Sequence, residues 1–353
     1  MMNPAFRDVI ATDEDRRDLF LTTALRLGTT VQNIEKDFWV CWTLDALFHG
    51  LTPEGPRLLF KGGTSLSKGY GLIARFSEDI DITVFRDDLG LFGSTEDLAQ
   101  LSGKKRAERI EAIKTACQAY IQGPLHTELA VIAARVMQEA GCAISGLHIE
   151  ADEGDPDRQS LLIWYPSVVA MGDGYVRPAV KIESGARSAL DPNTPVTVRP
   201  YVADDLVSEI DLSVPGVTTI DPRRTFWDKI IILHGLRRWY ERRGELRGGG
   251  QRVSRHYYDI HQMLASDMGA KAIRDDDLAV DCVRHARMFF NRPDLDLATA
   301  THGTFALLPH DNMIDHLRHD YTAMATMIFG TVPTFEEVMA SIGKLEVMVN
   351  NTG

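Results

Sequence analysis

Cysteine is scarce in this sequence, and long apolar runs are missing. The four cysteines lie far apart and form no Cys-x-x-Cys pattern, so neither a disulfide framework nor a zinc site is indicated. No stretch approaches the roughly 18 apolar residues of a membrane-spanning helix, and the N-terminal segment has no apolar signal-peptide core. We therefore expect a cytoplasmic protein with no membrane partner.

Internal repeats, low-complexity segments and coiled-coil heptads are also absent, as is the His-Glu-x-x-His pattern of zinc hydrolases. The 353 residues are 44% hydrophobic and 25% charged, which is typical of a globular protein. This length is sufficient for two domains with cores of their own.

The formal net charge of −12 argues against general nucleic-acid binding, but the charge is unevenly distributed. Residues 223–255 include ten basic and three acidic side chains, so this sector carries +7 and the rest of the chain −19. Such a sector is typical either of a polyanion site or of a solvated helix face followed by a flexible loop. If it binds RNA, the candidate contacts are Arg237, Arg238, Arg242, Arg243, Arg252 and Arg255.

A pair of aspartates in Ser77-Glu78-Asp79-Ile80-Asp81 is the first candidate site. In a strand, alternate side chains share a face, so Asp79 and Asp81 would point the same way while the isoleucines point to the core. Their spacing along such a strand is roughly 6–7 Å, which allows one Mg²⁺ to bridge them or two to share them.

The second element of this site is a glycine-rich turn. A short strand, 57–60, runs into Gly62 and Gly63, and a helical turn is expected to begin near Thr64 or Ser65. Glycines before a helix start leave backbone N–H groups accessible to phosphate oxygens. Each element alone is common in ordinary turns and strand edges, but the two in this order indicate a site for a metal-bound nucleoside triphosphate.

These residues resemble the AbiEii/AbiGii toxin family of nucleotidyltransferases, within the DNA polymerase β-like superfamily. The likeness is carried by LLFKGGTSLSKGYGLIARFSEDIDITV at 58–84. It is supported by IEKDFWVCWTL at 34–44, RRTFWDKIIILH at 223–234, SRHYYDI at 254–260 and HDYTAMATMIFG at 319–330. The resemblance implies an α+β fold, in which a polymerase β-like nucleotidyltransferase sheet with flanking helices is followed by a mainly helical C-terminal domain.

The hydrophobic pattern divides the chain in a compatible way. Residues 1–205 are expected to form the catalytic domain, with a helical N-terminal portion and a mixed sheet, and 206–353 a helical domain that contributes to the active-site cleft. Beyond the first motif, period-two segments predict strands at Leu147–Ala151, Ser160–Tyr165, Ala179–Glu183 and Val196–Val202.

Enzymes of this superfamily usually add a third acid on a neighbouring strand, and Glu183 is the leading candidate to complete the metal site with Asp79 and Asp81. In Ala179–Glu183 the apolar side chains alternate with Lys181 and Glu183. Glu150 and Asp211 also lie in alternating segments and remain alternatives.

Two further residues match family positions. Lys229 corresponds to a helical lysine that reaches the triphosphate, and Asp259 to a later catalytic acid. The structural alternatives are a solvated lysine and an aspartate paired with Arg255 at helical i, i+4 spacing.

Hydroxyl groups near the two motifs are candidate nucleotide ligands. Thr64 and Ser65 are expected to donate to phosphate, although either could cap the helix instead. Ser77 is a candidate phosphate contact or phosphoryl acceptor, or a plain structural serine. Arg75 is expected to contact phosphate or to pair with Glu78 or Asp79.

The resemblance implies Mg²⁺-dependent transfer of NMP from an NTP to RNA, notably the 3′ end of tRNA, by the toxin of a toxin-antitoxin system. Its partner would be a cognate antitoxin, a winged-helix protein encoded directly upstream. Two alternatives remain open: an NTP-dependent phosphotransferase acting on a protein or on Ser77, and a nucleotide-binding module without turnover.

Overall fold

The structure, a computed structural model, describes residues 1–91, 94–143, 146–169, 177–206 and 210–351. The chain divides into two compact units. The first extends to Ile220, except for Gly71–Arg75 and Ser94–Ser102, which belong to the second unit together with the chain from Asp221 onward. The sequence placed the domain boundary after residue 205, earlier than this structural division.

The described strands form one mixed seven-stranded sheet, all of it in the first unit. The strands are β1 (Leu58–Lys61), β2 (Ile80–Val84), β3 (His148–Ala151), β4 (Ser160–Trp164), β5 (Ala179–Gly185), β6 (Asn193–Val198) and β7 (Val214–Ile220). Their spatial order is β3-β4-β5-β2-β1-β7-β6. The pairs β1–β7 and β2–β5 are parallel, and the remaining neighbours are antiparallel.

Helices account for most of the remaining described chain. In chain order they are α1 (Ala5–Ile10), α2 (Asp13–Leu27), α3 (Val31–Asp45), α4 (Gly62–Thr64), α5 (Thr95–Gln100), α6 (Gly103–Tyr120), α7 (His126–Glu139), α8 (Pro222–Arg243), α9 (Ser254–Leu264), α10 (Asp267–Ile273), α11 (Asp276–Phe289), α12 (Ile314–Ala325) and α13 (Phe335–Asn351). Helices α5 and α8–α13 lie in the second unit. The predicted α+β class, with a mainly helical C-terminal part, is confirmed.

Helix α3 forms the centre of the first unit's core. Its N-cap is Thr30, whose hydroxyl accepts a hydrogen bond from the Asn33 amide at 3.2 Å. Every residue from Asn33 to Asp45 is buried, and the helix packs against β5 and β7. A helix buried on all sides is normally apolar all round, so the charged residues near its start require specific partners.

Aromatic packing fixes this helix. The Phe38 ring lies 5.4 Å from Phe6, 5.6 Å from Phe20 and 5.4 Å from Trp39, measured between centroids. Trp39 stacks on Tyr165, which follows β4, at 5.3 Å and an interplanar angle of 10°. Helices α1, α2 and α3 are therefore joined through one aromatic cluster.

The helical unit follows its sequence signals closely. Helix α8 begins at Pro222, because Asp221 caps its N-terminus by accepting from the Arg223 amide at 2.8 Å and proline is favoured in the first turn. Gly244, in a left-handed conformation with φ of 69°, ends it. No helix among the described residues is long and apolar enough to cross a membrane.

Strand β7 was not predicted. Its sequence, VPGVTTI, is rich in β-branched residues, but Pro215 and Gly216 are signals of a break rather than of a strand. The strand nevertheless lies between β1 and β6. The period-two pattern after residue 205 was therefore too short and too interrupted to identify it.

Replacing Phe38 by Ala is expected to lower the free energy of unfolding of the first unit by about 3–5 kcal/mol, because the ring is fully buried and its removal leaves a cavity. Urea denaturation followed by tryptophan fluorescence measures the change. Leu25→Ala is the control, since Leu25 is 76% exposed, and its effect should remain within about 0.5 kcal/mol. Equal stability of the two variants would contradict the assignment of α3 to the core.

Candidate active site

The glycine turn and the aspartate pair meet through the pairing of β1 with β2. In this antiparallel register Lys61 lies opposite Asp81, and Gly62 follows directly with φ of +79°. A Cβ atom on Gly62 would lie 2.0 Å from the Asp81 Oδ2 atom. Only glycine permits this approach, so the two sequence motifs form one structural site.

The helical turn begins earlier than the sequence indicated. Helix α4 starts at Gly62 and continues as a π-helical turn from Ser65 to Gly69. The prediction that it begins near Thr64 or Ser65 was wrong, because both glycines belong to the first turn. The Ser65 hydroxyl donates to the Gly62 carbonyl at 2.9 Å, and no side chain caps the start of this helix.

Thr64 links the turn to the acidic segment. Its buried hydroxyl lies 2.8 Å from the Ser77 Oγ atom and also donates to the Asp79 carbonyl. The Thr64 hydroxyl is the donor in both contacts, so its one proton is shared between the Ser77 Oγ atom and the Asp79 carbonyl. Ser77 and Asp79 both precede β2, which begins at Ile80.

Glu183 lies beside the aspartates. Strand β5 runs parallel to β2, and Glu183 is paired in register with Asp81. Side chains in register on neighbouring strands share a face of the sheet. The fold therefore places two carboxylates next to each other, with Asp79 two residues before Asp81.

The alternative third acids lie elsewhere. Glu150 is on β3, which is separated from β2 by β4 and β5, and its carboxylate accepts from the Trp164 indole at 2.9 Å. Asp211 lies outside the strands and accepts from the Ser213 amide at 2.8 Å. Of the three candidates, Glu183 alone is on a strand adjacent to β2.

Two lysines face these carboxylates. The Lys61 Nζ atom is 3.7 Å from Asp81, and the Lys181 Nζ atom is 2.9 Å from Glu183 and 3.1 Å from Asp152. Partial burial by itself would lower the Lys181 pKa, but hydrogen bonds and charge attraction from Glu183 and Asp152 raise it above its usual value. The site therefore attracts positive charge.

This donor set matches Mg²⁺ in its chemistry, since carboxylate oxygens are its preferred protein ligands. Within the described ranges, however, no group of three His, Cys, Asp or Glu side chains is arranged as a metal site. A metal ion bound by Asp81 and Glu183 would replace Lys61 and Lys181 as their counter-charge.

Lys229 and Asp259, both in the second unit, form a buried ion cluster with Arg75. The Lys229 Nζ atom lies 2.8 Å from Asp259 Oδ2. Arg75 donates through two nitrogens to the same carboxylate, at 2.7 and 2.8 Å. The alternatives of a solvated Lys229 and an Asp259–Arg255 pair do not match these contacts, and Asp259 was not expected as a partner of Arg75.

Two cations share one carboxylate in this cluster. The resulting excess of positive charge shifts the pKa values of Asp259 and Lys229. Burial would raise the Asp259 pKa, but the charges of Arg75 and Lys229 outweigh burial and lower it. The Lys229 pKa is also lowered, by burial and by the Arg75 charge, despite the attraction of Asp259. Asp259 is therefore held ionised, whereas the proton of Lys229 is held less firmly than in water.

The arginines of the basic sector are largely matched by acids. Arg237 and Arg238 both contact Glu241, at 2.6 and 2.9 Å. Further ion pairs are Arg223–Asp221, Arg223–Asp275, Arg224–Asp281, Arg242–Asp296 and Arg243–Asp294. Acids from other parts of the chain thus reduce the local excess of positive charge read from residues 223–255.

A family model supplies the decisive comparison. The model described as the nucleotidyl transferase AbiEii toxin of a type IV toxin-antitoxin system matches residues 45–341. The chain belongs to this family. As an AbiEii protein it is a nucleotidyltransferase and the toxin of a type IV toxin-antitoxin system.

Among solved structures, this AbiEii protein is similar to MenT4, a nucleotidyltransferase toxin from Mycobacterium tuberculosis H37Rv. The two share 16% sequence identity, and the match covers 96% of this chain and 90% of MenT4 with a TM-score of 0.48. No curated protein matches the chain.

Sequence reasoning did not identify the lysines that face the carboxylates, or the partners of the charged residues in α3. Lys36 contacts Glu78, and Asp37 contacts Lys68, each at 2.7 Å. The available signal was Glu-Lys-Asp at 35–37, three successive charges in an otherwise apolar helix. The family resemblance rested partly on this segment, but no role was predicted for it.

Gly62→Ala is expected to lower nucleotidyl transfer about 100-fold, because the new Cβ displaces the Asp81 carboxylate and the positive φ becomes strained. Steady-state transfer rates per folded enzyme measure this loss. Gly185→Ala is the matched control, since nothing lies within 4 Å of its added Cβ atom in β5. Comparable activity of the two variants would rule out the close contact as a functional constraint.

Asp259→Asn is expected to destabilise the second unit by about 3–5 kcal/mol at pH 7, because Arg75 and Lys229 would remain buried without a counter-charge. The wild-type contribution arises from a lowered pKa, so it is present above the unfolded value of about 3.9 and is lost as pH falls through the folded value. Urea denaturation should show the wild-type advantage narrowing below about pH 4.

The exposed Asp315, in the first turn of α12, provides the control for this prediction. Asp315→Asn should change the free energy of unfolding by less than about 1 kcal/mol both at pH 7 and below about pH 4. A pH-independent difference between wild type and Asp259→Asn would contradict the ionised carboxylate.

Proposed function

We propose that this toxin transfers NMP from an NTP to a hydroxyl of an RNA acceptor and releases pyrophosphate, with Mg²⁺ held by Asp79, Asp81 and Glu183. The observation that carries the proposal is the contact of the Gly62 turn with Asp81, next to Glu183 on the neighbouring strand. A phosphate-binding turn and metal-binding carboxylates must be adjacent in any enzyme that acts on a metal-bound triphosphate.

The residues of the turn have distinct tasks in this proposal. The backbone N–H groups of Gly62 and Gly63 are assigned to phosphate oxygens, because the absence of Cβ atoms allows close approach. The hydroxyls of Thr64 and Ser65 have partners within the protein, so they contribute to phosphate binding mainly by fixing the turn. Ser77 supports Thr64 in the same way.

A bound Mg²⁺ would neutralise the triphosphate and promote loss of the proton from the acceptor hydroxyl. The protein's own contribution is to hold Asp81 and Glu183 in register on adjacent strands. The side chain of Glu183 is 46% exposed, which leaves it accessible to ligands.

Lys229 and Asp259 enter the proposal through their family positions. We assign the Lys229 ammonium to the triphosphate, and Asp259 to keeping that ammonium charged and oriented. Burial lowers the Lys229 pKa, so the adjacent carboxylate at 2.8 Å is needed to retain the proton. Arg75 fixes the Asp259 carboxylate from the other side.

The RNA acceptor, specifically the 3′ end of tRNA, is proposed from the family resemblance. The side chains of Arg242 and Arg243 are 44% and 55% exposed and are available for phosphate contacts, as proposed also for Arg237, Arg238, Arg252 and Arg255. Because acids already pair with most of this sector, RNA contacts would have to replace existing ion pairs. The partner that restrains the enzyme is proposed to be an upstream-encoded winged-helix antitoxin.

Wild-type protein incubated with α-labelled NTPs, Mg²⁺ and total RNA is expected to label RNA in the tRNA size range. Asp79→Ala, Asp81→Ala and Glu183→Gln should each lower labelling at least 100-fold, because each removes a proposed metal ligand. Glu150→Gln is the matched control for Glu183→Gln, since Glu150 is an exposed strand carboxylate three strands from β2.

The same incubation with γ-labelled NTP separates the alternatives. Retention of γ-label on the protein, lost in Ser77→Ala, would support phosphotransfer in place of nucleotidyl transfer to RNA. No label transfer from either nucleotide, with NTP binding intact in Asp79→Ala and Asp81→Ala, would support a binding module. Equal RNA labelling by wild type and both aspartate variants would reject the proposed site.

A further inference from the structure

Three successive charged residues of α3 are buried in the first unit. Glu35, Lys36 and Asp37 are 2%, 4% and 3% exposed. A buried charge is strongly unfavourable unless it is paired and hydrogen-bonded. The partners of these three side chains therefore indicate which segments the helix holds in place.

Asp37 holds the far end of the glycine turn. Its carboxylate lies 2.7 Å from the Lys68 Nζ atom and accepts from the Tyr201 amide at 2.7 Å. The Lys68 ammonium lies 3.5 Å from the centre of the Tyr201 ring. Lys68 belongs to the helical turn that continues from α4 and is only 5% exposed, so its charge is directed to Asp37 and away from solvent.

Lys36 holds the segment that carries the aspartates. Its Nζ atom lies 2.7 Å from the Glu78 carboxylate, and Glu78 directly precedes Asp79. The side chains of Lys36 and Glu78 are 5% and 15% exposed. Solvent therefore screens this attraction little.

We propose that Lys36 and Asp37 are positioning residues for nucleotidyl transfer. Asp37 sets the position of the phosphate-binding turn through Lys68, and Lys36 sets the position of Asp79 through Glu78. This inference rests on the proposed function, which assigns Gly62–Ser65 to phosphate and Asp79 to the metal ion. Two adjacent residues of one buried helix thereby fix both elements relative to each other.

The two ion pairs hold the turn and the acidic segment at Lys68 and Glu78. The β1–β2 pairing and the Thr64 hydroxyl connect the same two segments at other residues. Displacing a reacting group by about 1 Å can lower a rate about 100-fold. Two short ion pairs to one helix restrict both segments in addition to those contacts.

Glu35 provides a control within the same three residues. It is equally buried, but its carboxylate accepts from the Ser167 hydroxyl at 2.6 Å and the Val168 amide at 2.7 Å. Neither residue belongs to the glycine turn or the aspartate segment. Loss of its charge tests the effect of perturbing α3 without releasing either proposed catalytic element.

The test compares full-length Asp37→Asn, Lys36→Met and Glu35→Gln in NMP transfer from α-labelled NTP. Partial unfolding reduces the amount of active enzyme and therefore kcat, but leaves KM unchanged. Asp37→Asn is expected to raise the KM for NTP about tenfold, and Lys36→Met to raise the Mg²⁺ concentration for half-maximal activity about tenfold. Glu35→Gln should leave both values within about twofold of wild type.

Paired substitutions keep the test decisive if a single variant fails to fold. Asp37→Asn with Lys68→Met removes both buried charges, and Lys36→Met with Glu78→Gln does the same for the second pair. Both double variants are expected to fold, because the neutral side chains fill the space of the ion pair. They should retain the altered KM or Mg²⁺ dependence, because no ion pair orients the two segments any longer. Exchange of the second pair, Lys36→Glu with Glu78→Lys, should recover the wild-type Mg²⁺ dependence to within about threefold.

Wild-type KM and Mg²⁺ dependence in the two neutral pairs would overturn the inference, as would shifts in Glu35→Gln as large as those in its neighbours. Failure of the proposed function has a different signature. In that case Asp79→Ala and Asp81→Ala would remain active, whatever the behaviour of the α3 variants.

Discussion

The antiparallel pairing of β1 with β2 is the constraint on which the candidate site depends. It brings Gly62 so close to Asp81 that no side chain fits between the backbone and the carboxylate. Parallel pairing of β2 with β5 then adds Glu183 in register. Strand pairing therefore brings together the glycine turn and two adjacent carboxylates, the arrangement that we propose binds a metal-bound triphosphate.

Buried charge is the second organising feature, and each unit has its own example. In the first unit α3 pairs with the segments that bear the glycine turn and the aspartates. In the second unit Asp259 joins Arg75 to Lys229. Such pairs seldom add much net stability over an apolar core of the same volume, but they strongly disfavour alternative arrangements because a separated partner would be an unpaired buried charge.

The fold class and the location of the motifs could be predicted from sequence because they depend on local patterns. The strand, the glycine turn and Asp79-Ile80-Asp81 follow one another within one short segment, and α8 has explicit start and stop signals in Pro222 and Gly244. Strand β7 was missed because Pro215 and Gly216 interrupt its pattern.

Ion-pair partners could not be predicted in this way, since Arg75 and Asp259 are 184 positions apart and both had nearer candidate partners. Glu183 was selected over Glu150 and Asp211 by resemblance, whereas strand order is what separates them in space. The register between strands that are distant in sequence depends on how the whole sheet packs, so it cannot be predicted from local periodicity.

Crystals of the protein grown with Mn²⁺ and a non-hydrolysable NTP analogue would test the central claim most directly. We predict anomalous scattering from a metal ion bonded to Asp79, Asp81 and Glu183 at about 2–2.3 Å, with phosphate oxygens against the Gly62–Ser65 turn. We also predict that Lys61 and Lys181 no longer contact those carboxylates. A metal ion and triphosphate bound elsewhere, with both lysine contacts retained, would contradict the proposed site.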